Sequence, residues 1–172
     1  KAYVSVADDA TATLWNTGAL AGIEQKEITA LHSILWADTN YDFVSYVHPT
    51  LDTGTFGLNL LYLSSGGFDE RDIYNVQGGT FSATEMAVSL AYGSYIMEHI
   101  SLGGSVKYYS RTLFKDADAF ILTDLGIITE PFEDARLGLT LQDFLTIMHL
   151  GSATQDKIPL MIRGGFSYKF LR

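Results

Sequence analysis

A two-residue alternation of apolar and small residues constrains this chain most, because that period fits a β-strand and not a helix. Along residues 136–142, every second position is Leu, and Arg136, Gly138, Thr140 and Gln142 lie between the leucines. The other segments that carry the pattern, with varying strictness, are 28–36, 41–48, 55–63, 86–92, 100–109, 119–129 and 158–170. The sequence therefore predicts an antiparallel all-β fold with about eight strands, in which residues 37–40 form the hairpin turn between the first two.

The second face of these strands separates two all-β architectures. It is rich in Gly, Ser, Ala, Thr and Asn, whereas the wet face of a soluble sandwich usually carries long charged side chains. Tyr and Phe residues lie near strand ends, as in the aromatic girdles of membrane barrels. This pattern favours a transmembrane β-barrel whose small residues face the lumen. The alternative is a soluble or extracellular all-β interaction module in which the apolar faces form one internal core.

Two regions lack the alternation. Residues 1–27 contain Ala-rich, weakly helical stretches and are predicted to form an N-terminal plug or cap segment, which leaves 28–172 for the barrel strands. Residues 64–84 contain Gly-Gly twice and a dense charge cluster, and they are predicted to form one long loop. In a barrel this loop would be extracellular. Its charged residues are Asp69, Glu70, Arg71 and Asp72.

Charge and composition exclude several classes of protein. The 172 residues carry a net charge of -9, which argues against a nucleic-acid-binding surface. There are no Cys residues, so disulfide and cysteine–metal frameworks are impossible. The sequence contains no stretch of about 18 uncharged apolar residues, so no spanning helix is predicted. The chain begins with Lys1, and we expect a mature form from which a secretory signal has been removed.

Several short motifs resemble one protein family. Residues 3–21 (YVSVADDATATLWNTGALA) are similar to the A-D-D-A-x-A-x-x-x-N-P-A-G-L-A opening of PorV/PorQ-like outer-membrane proteins, which belong to the FadL-type group. Residues 87–107 resemble the family's Ala/Tyr-rich hairpin, and 124–127 resemble its D-L-G-hydrophobic strand. Residues 137–144 (LGLTLQDF) and 157–168 resemble two later elements, in the family's order.

This resemblance implies a bacterial outer-membrane β-barrel of about 14 strands, of which this chain would supply the first eight or so. It implies a non-enzymatic role: a channel or transporter for hydrophobic compounds, or an outer-membrane component of a protein secretion system. The expected partners are outer-membrane lipid, a hydrophobic small molecule and a secretion-system or surface protein. No cofactor is expected.

Few residues suggest other chemistry. The four His residues have no metal-ligand spacing, so no metal site is predicted. No G-x-S-x-G motif supports a serine hydrolase, and we expect no enzyme. Asp8, Asp9 and Asn16 are candidate plug or ligand-binding residues, and a helix cap is the favoured role for Asp8 or Asp9.

Three further charges are predicted to face the lumen. Asp124 lies on the small face of its strand, and a carboxylate there needs a cationic partner. Arg136 and Arg163 also face inward by alternation and are the expected partners.

Overall fold

The computed structural model describes residues 3–36, 38–114, 116–151 and 158–170. Eight strands form one antiparallel sheet in which each strand pairs with its neighbours in sequence. Their bounds are β1 Glu27–Ile34, β2 Asn40–Thr50, β3 Gly54–Arg71, β4 Gln77–Met97, β5 Ile100–Leu113, β6 Asp116–Phe132, β7 Ala135–Gly151 and β8 Met161–Tyr168. The predicted all-β class with eight antiparallel strands is confirmed. The sheet is not closed into a barrel, and β1 and β8 are its two edges.

Three short helices precede the sheet. They are α1 (Tyr3–Val6), α2 (Ala12–Trp15) and a 3₁₀ helix (Thr17–Gly22). We call residues 3–23 the plug segment, because it packs against one face of the sheet, from β3 across to β8. That face is called the inner face and the opposite one the outer face. The main hydrophobic cluster joins plug residues such as Leu20 and Ile23 to Val47, Ala91 and Ile128 of the strands.

The alternation seen in the sequence matches the two faces of the sheet. On β3, Thr55, Gly57 and Asn59 are buried under the plug segment, whereas Phe56 and Leu58 are exposed on the outer face. β5 repeats this arrangement, and its inner residues Ser101, Gly103 and Ser105 are buried. On these two strands, small residues therefore occupy the face that the plug segment covers, and large apolar residues occupy the face that nothing in the described chain covers.

Residues 64–84 differ from the predicted long loop. β3 continues to Arg71 and β4 starts at Gln77, so only 72–76 form the connection. Past the last residues that pair with β2 and β5, the two strands still pair with each other. In this part Phe68 lies opposite Phe81, with ring centroids 5.4 Å apart. Gly66 and Gly67 are accommodated at a register shift between Ser65 and Phe68, and Gly78 lies opposite a second shift between Glu70 and Arg71. The cross-strand aromatic contact supports the ribbon.

The two ends of the sheet differ in their connections. At one end the turns are short, at 51–53, 98–99 and 133–134. The opposite end carries the longer β3–β4 ribbon. The first predicted strand is found as β1, whereas the last begins only at Met161 instead of at residue 158. Among the described residues, no helix has the length and apolar character needed to cross a membrane.

Candidate functional site

The plug segment is seated on a row of glycines that line the inner face. Five successive strands each contribute one glycine to this seat: Gly57, Gly93, Gly103, Gly126 and Gly138. A Cβ atom at any of the five would lie under 3.0 Å from a plug atom, and real Cβ atoms essentially never approach other atoms that closely. The seat therefore allows the plug backbone to approach the strands more closely than any other residue type would permit.

Asn16 fixes the plug segment in this seat. It is 1% exposed, and its side-chain Oδ1 accepts a hydrogen bond from Gly18 N at the start of the 3₁₀ helix. Its Nδ2 donates to the carbonyl oxygen of Val4 at 2.9 Å and to that of Ile127 on β6 at 3.1 Å. One side chain thus caps a helix, joins two parts of the plug segment and links the plug to the sheet.

Asp8 and Asp9, the other predicted plug residues, occupy different environments. Asp8 is exposed. Asp9 accepts hydrogen bonds at Oδ1 from Thr11 N at 2.8 Å and Thr11 Oγ1 at 2.5 Å, just before α2 begins. Such an Asx-type turn directs the chain into the helix. Asp9 therefore has a local structural role, and the three candidates do not converge on one site.

A cavity of about 500 Å³ lies beside the plug segment on the inner face. Plug residues Leu14 and Trp15 form one side of it, and Leu61 and Leu122 add apolar surface from the sheet. Its polar lining residues include Asn59, Ser89, Lys107, Tyr109, Asp124, Gln142 and Asp143. Cavities of this size with a mixed lining are typical of small-molecule sites.

Lys107 is held between two carboxylates in this cavity. Its Nζ donates to Asp143 Oδ1 at 2.7 Å and to Asp124 Oδ1 at 3.3 Å. Asp124 also accepts hydrogen bonds from Ser105 Oγ at 2.8 Å and from the backbone N–H of Asp143 at 2.8 Å. The three charged side chains are each less than a fifth exposed. Charges that are this poorly solvated need close partners, and here each has one.

A β-bulge in β7 brings Asp143 into this cluster. The pairing between β6 and β7 shifts between Thr123 and Leu125, and Asp143 adopts a positive φ of 57°. The irregularity rotates Asp143 toward the inner face, where its backbone and side chain both contact the Lys107–Asp124 pair. Bulges commonly re-aim one side chain in this way.

The predicted partners of Asp124 have other contacts. Arg136 pairs with Glu130 at 3.2 Å between Nε and Oε1. The guanidinium carbon of Arg163 lies 5.6 Å from the ring centroid of Trp15, which is a cation–π arrangement. Among the described residues, the cation beside Asp124 is Lys107, which belongs to the adjacent strand. Alternation identified the face that these residues share, but not their level along the tilted strands.

The charge cluster predicted for an extracellular loop lies at the tip of the β3–β4 ribbon. Arg71 Nη2 contacts Asp69 Oδ2 at 2.8 Å, and both side chains are about two-fifths exposed. Asp72 Oδ1 accepts hydrogen bonds from the backbone N–H groups of Tyr74 and Val76, which closes the turn. Glu70 is exposed. No group of three or more potential metal ligands occurs in the part of the chain that the structure describes.

The outer face is a continuous apolar surface. Neighbouring strands place Val44, Leu60 and Val88 side by side, and one step along they place Tyr46, Leu58 and Leu90 together. The exposed members of this apolar belt include Val44, Tyr46, Phe56, Leu58, Leu60, Tyr62, Leu90, Tyr92, Leu102, Val106, Tyr108, Leu125, Leu137, Leu139, Ile162, Phe166 and Tyr168. A surface patch this extensive is unusual for a monomeric soluble domain.

Searches of protein-family models, of curated proteins and of solved structures found no match to this chain.

Proposed function

We propose that this chain forms part of a bacterial outer-membrane β-barrel that binds or passes hydrophobic compounds. The observation that carries the proposal is the apolar belt, which covers the outer face across β2 to β8, while the inner face holds the plug segment and a cavity with polar lining residues. Lipid is the partner that such a belt fits, since spanning strands alternate apolar-out and polar-in. The PorV/FadL-type resemblance in the sequence points in the same direction.

Aromatic residues at both borders of the apolar belt support this proposal. On β3 these are Phe56 and Tyr62, which at about 3.3 Å per residue are about 20 Å apart along the strand. Outer-membrane barrels likewise have aromatic girdles at both borders of their apolar band. Short turns at one end and a long hairpin at the other also match the unequal connections of such barrels. An open sheet is incompatible with lipid, so the proposal requires further strands to pair with β1 and β8.

One matched pair of variants tests the lipid contact. Leu90 lies in the middle of the belt and is 61% exposed, whereas Ile73 lies at the ribbon tip and is 90% exposed. In lipid, Leu90→Arg should cost about 2–4 kcal/mol of folding free energy, and Ile73→Arg should cost almost nothing. Folding of the complete protein, with the strands that close the sheet, into lipid vesicles, followed by heat-modifiable gel mobility and by urea titration, measures the difference. Equal stability of the two variants would argue for the soluble all-β module.

Cell fractionation tests the same proposal at the level of location. The native chain should be found with outer-membrane fragments and should require detergent to stay dispersed. A chain that remains monomeric in plain buffer would exclude the membrane role.

A further inference from the structure

Asn59 is the feature of the cavity that its internal contacts do not explain. The side chain is 3% exposed and lines the cavity, yet its amide nitrogen Nδ2 has no hydrogen-bond partner. A buried donor without an acceptor costs about 1–3 kcal/mol, and native structures rarely retain one without a reason. Nδ2 itself has almost no accessible surface, and a half-turn of the planar amide would present it to the cavity, where a ligand oxygen would supply the missing acceptor.

Two neighbouring polar groups of the lining are already engaged in hydrogen bonds. Lys107 Nζ bonds to two carboxylates, and Gln142 Nε2 donates to the carbonyl oxygen of Leu14 at 2.7 Å. Asn59 lies opposite Ser89 on β4, and Ser89 lies opposite Lys107 on β5, so these three residues share one level of the inner face. In this row the cation is already neutralised, and Asn59 Nδ2 is a buried donor that no group of the described residues satisfies.

The charge balance of the cavity selects against ions. Its charged lining residues are Lys107, Arg163, Asp124 and Asp143, so the formal charges cancel. A ligand anion would lie near the carboxylates of Asp124 and Asp143. Lys107 would not compensate for the cost of desolvating that anion, because it is already paired with both carboxylates. A ligand cation would meet Lys107 and Arg163. An uncharged polar head avoids both costs.

We propose that the cavity binds an uncharged amphipathic molecule, such as a medium-chain alcohol or ester, whose oxygen accepts a hydrogen bond from Asn59. Its apolar part would lie against Trp15, Leu61 and Leu122, which are part of the apolar lining. This inference rests on the proposed role in handling hydrophobic compounds, and it names the class of compound.

The two tryptophans make a direct binding assay possible. The chain has 2 Trp residues. Trp15 lines the cavity, whereas Trp36 is 89% exposed. In a Trp36→Phe background, bromine on a bound ligand should quench the emission of Trp15 saturably. The probes are 11-bromoundecan-1-ol and 11-bromoundecanoate, added to detergent-dispersed protein at pH 8. The reciprocal Trp15→Phe variant retains Trp36 and reports only the partition of each probe into detergent.

We expect saturable quenching of Trp15 by the alcohol at concentrations at least about tenfold lower than by the carboxylate. Asn59→Leu should raise the half-saturating alcohol concentration about threefold to tenfold, the effect of losing one hydrogen bond. Asn59→Ala also removes the donor, without adding a charge, and should act in the same direction, and an unchanged urea midpoint of each variant guards against a folding defect. Leu58→Ala, on the outer face, is the matched control and should leave the half-saturating concentration unchanged.

Three results would overturn the inference. Equal or tighter binding of the carboxylate would assign the cavity to anions, with Arg163 as the cation. Unchanged binding in both Asn59 variants would exclude Asn59 as the contact. Quenching that rises linearly and equally for Trp15 and Trp36 would exclude a site. A chain that fails fractionation but binds the alcohol loses only the membrane role, whereas a membrane-embedded chain without saturable quenching loses only the ligand class.

Discussion

The inner and outer faces of the sheet are formed by the same strands, but the inner face contacts other parts of the chain and the outer face does not. On β5, Gly103, Ser105 and Lys107 face the plug segment and the cavity, and each has close contacts within the chain. Their neighbours Gly104 and Val106 face outward, and a Cβ at Gly104 would meet the Asp124 backbone oxygen and the Leu125 side chain at ordinary van der Waals distances. Inner positions should therefore be sensitive to small chemical changes, and outer positions should respond only to the medium around them.

The largest expected effect of this difference comes from Lys107. Lys107→Met removes the cation between Asp124 and Asp143 and leaves two poorly solvated carboxylates together, so we expect a loss of about 3–5 kcal/mol in the free energy of unfolding. Val106→Met, one position away on the outer face, should change it by less than about 0.5 kcal/mol. Urea titration followed by tryptophan emission measures both. A similar loss of stability in the two variants would show that inner and outer positions are equally sensitive to substitution.

Two adjacent glycines provide a sharper test with the same substitution. The Cβ of Gly103→Ala would overlap the backbone of Thr17 and Gly18, which cannot move without displacing the plug segment. The Cβ of Gly104→Ala would have its nearest contact at 3.5 Å, an ordinary van der Waals distance. We expect a loss of about 2–3 kcal/mol for the first variant and almost none for the second.

Protease sensitivity adds a structural measurement to this comparison. Displacement of the plug segment by Gly103→Ala should expose residues 3–23 to limited proteolysis while the sheet stays intact. If the segment remains protected and stability is unchanged, the glycine row is not a seat.

Sequence alternation predicted which face each residue occupies, because a two-residue period leaves no freedom once the strand is identified. It placed Asp124, Arg136 and Arg163 on the small face, and the structure has them there. It could not identify Lys107 as the partner of Asp124, since the pairing depends on the stagger between strands. Asp143 reaches the cluster only through a bulge, which interrupts the pattern that alternation follows.

The glycine seat shows a second limit of the sequence. Excess glycine on one strand face was visible, but its cause is contact with Thr17 and Gly18, far away in the chain. The ribbon at 64–84 shows the reverse error. Its local Gly and Asp signals favoured a loop, whereas the pairing of Phe68 with Phe81 extends the strands. These local signals predicted one loop over 64–84, whereas only 72–76 connect the two strands.

The smallest expected effect comes from comparing a residue of the plug segment that faces the sheet with one that faces away from it. Asn16→Ala removes the cap on the 3₁₀ helix and the hydrogen bonds to the Val4 and Ile127 carbonyls, so we expect a loss of about 1–2 kcal/mol. Asp8→Ala, in the same segment but exposed, should change stability by less than about 0.5 kcal/mol.

The same urea titration measures both plug variants, and the emission of Trp15 reports the position of the segment. Because Asn16 holds the plug segment against β6 and Trp15 directly precedes it, Asn16→Ala should also shift Trp15 emission toward that of a water-exposed indole. If Asp8→Ala lowers stability as much as Asn16→Ala, exposed residues contribute as much to holding the plug segment as buried ones. The difference between inner and outer positions then does not apply to this segment. If neither variant loses stability, the glycine seat alone retains the plug, and Gly103→Ala should then produce the whole effect.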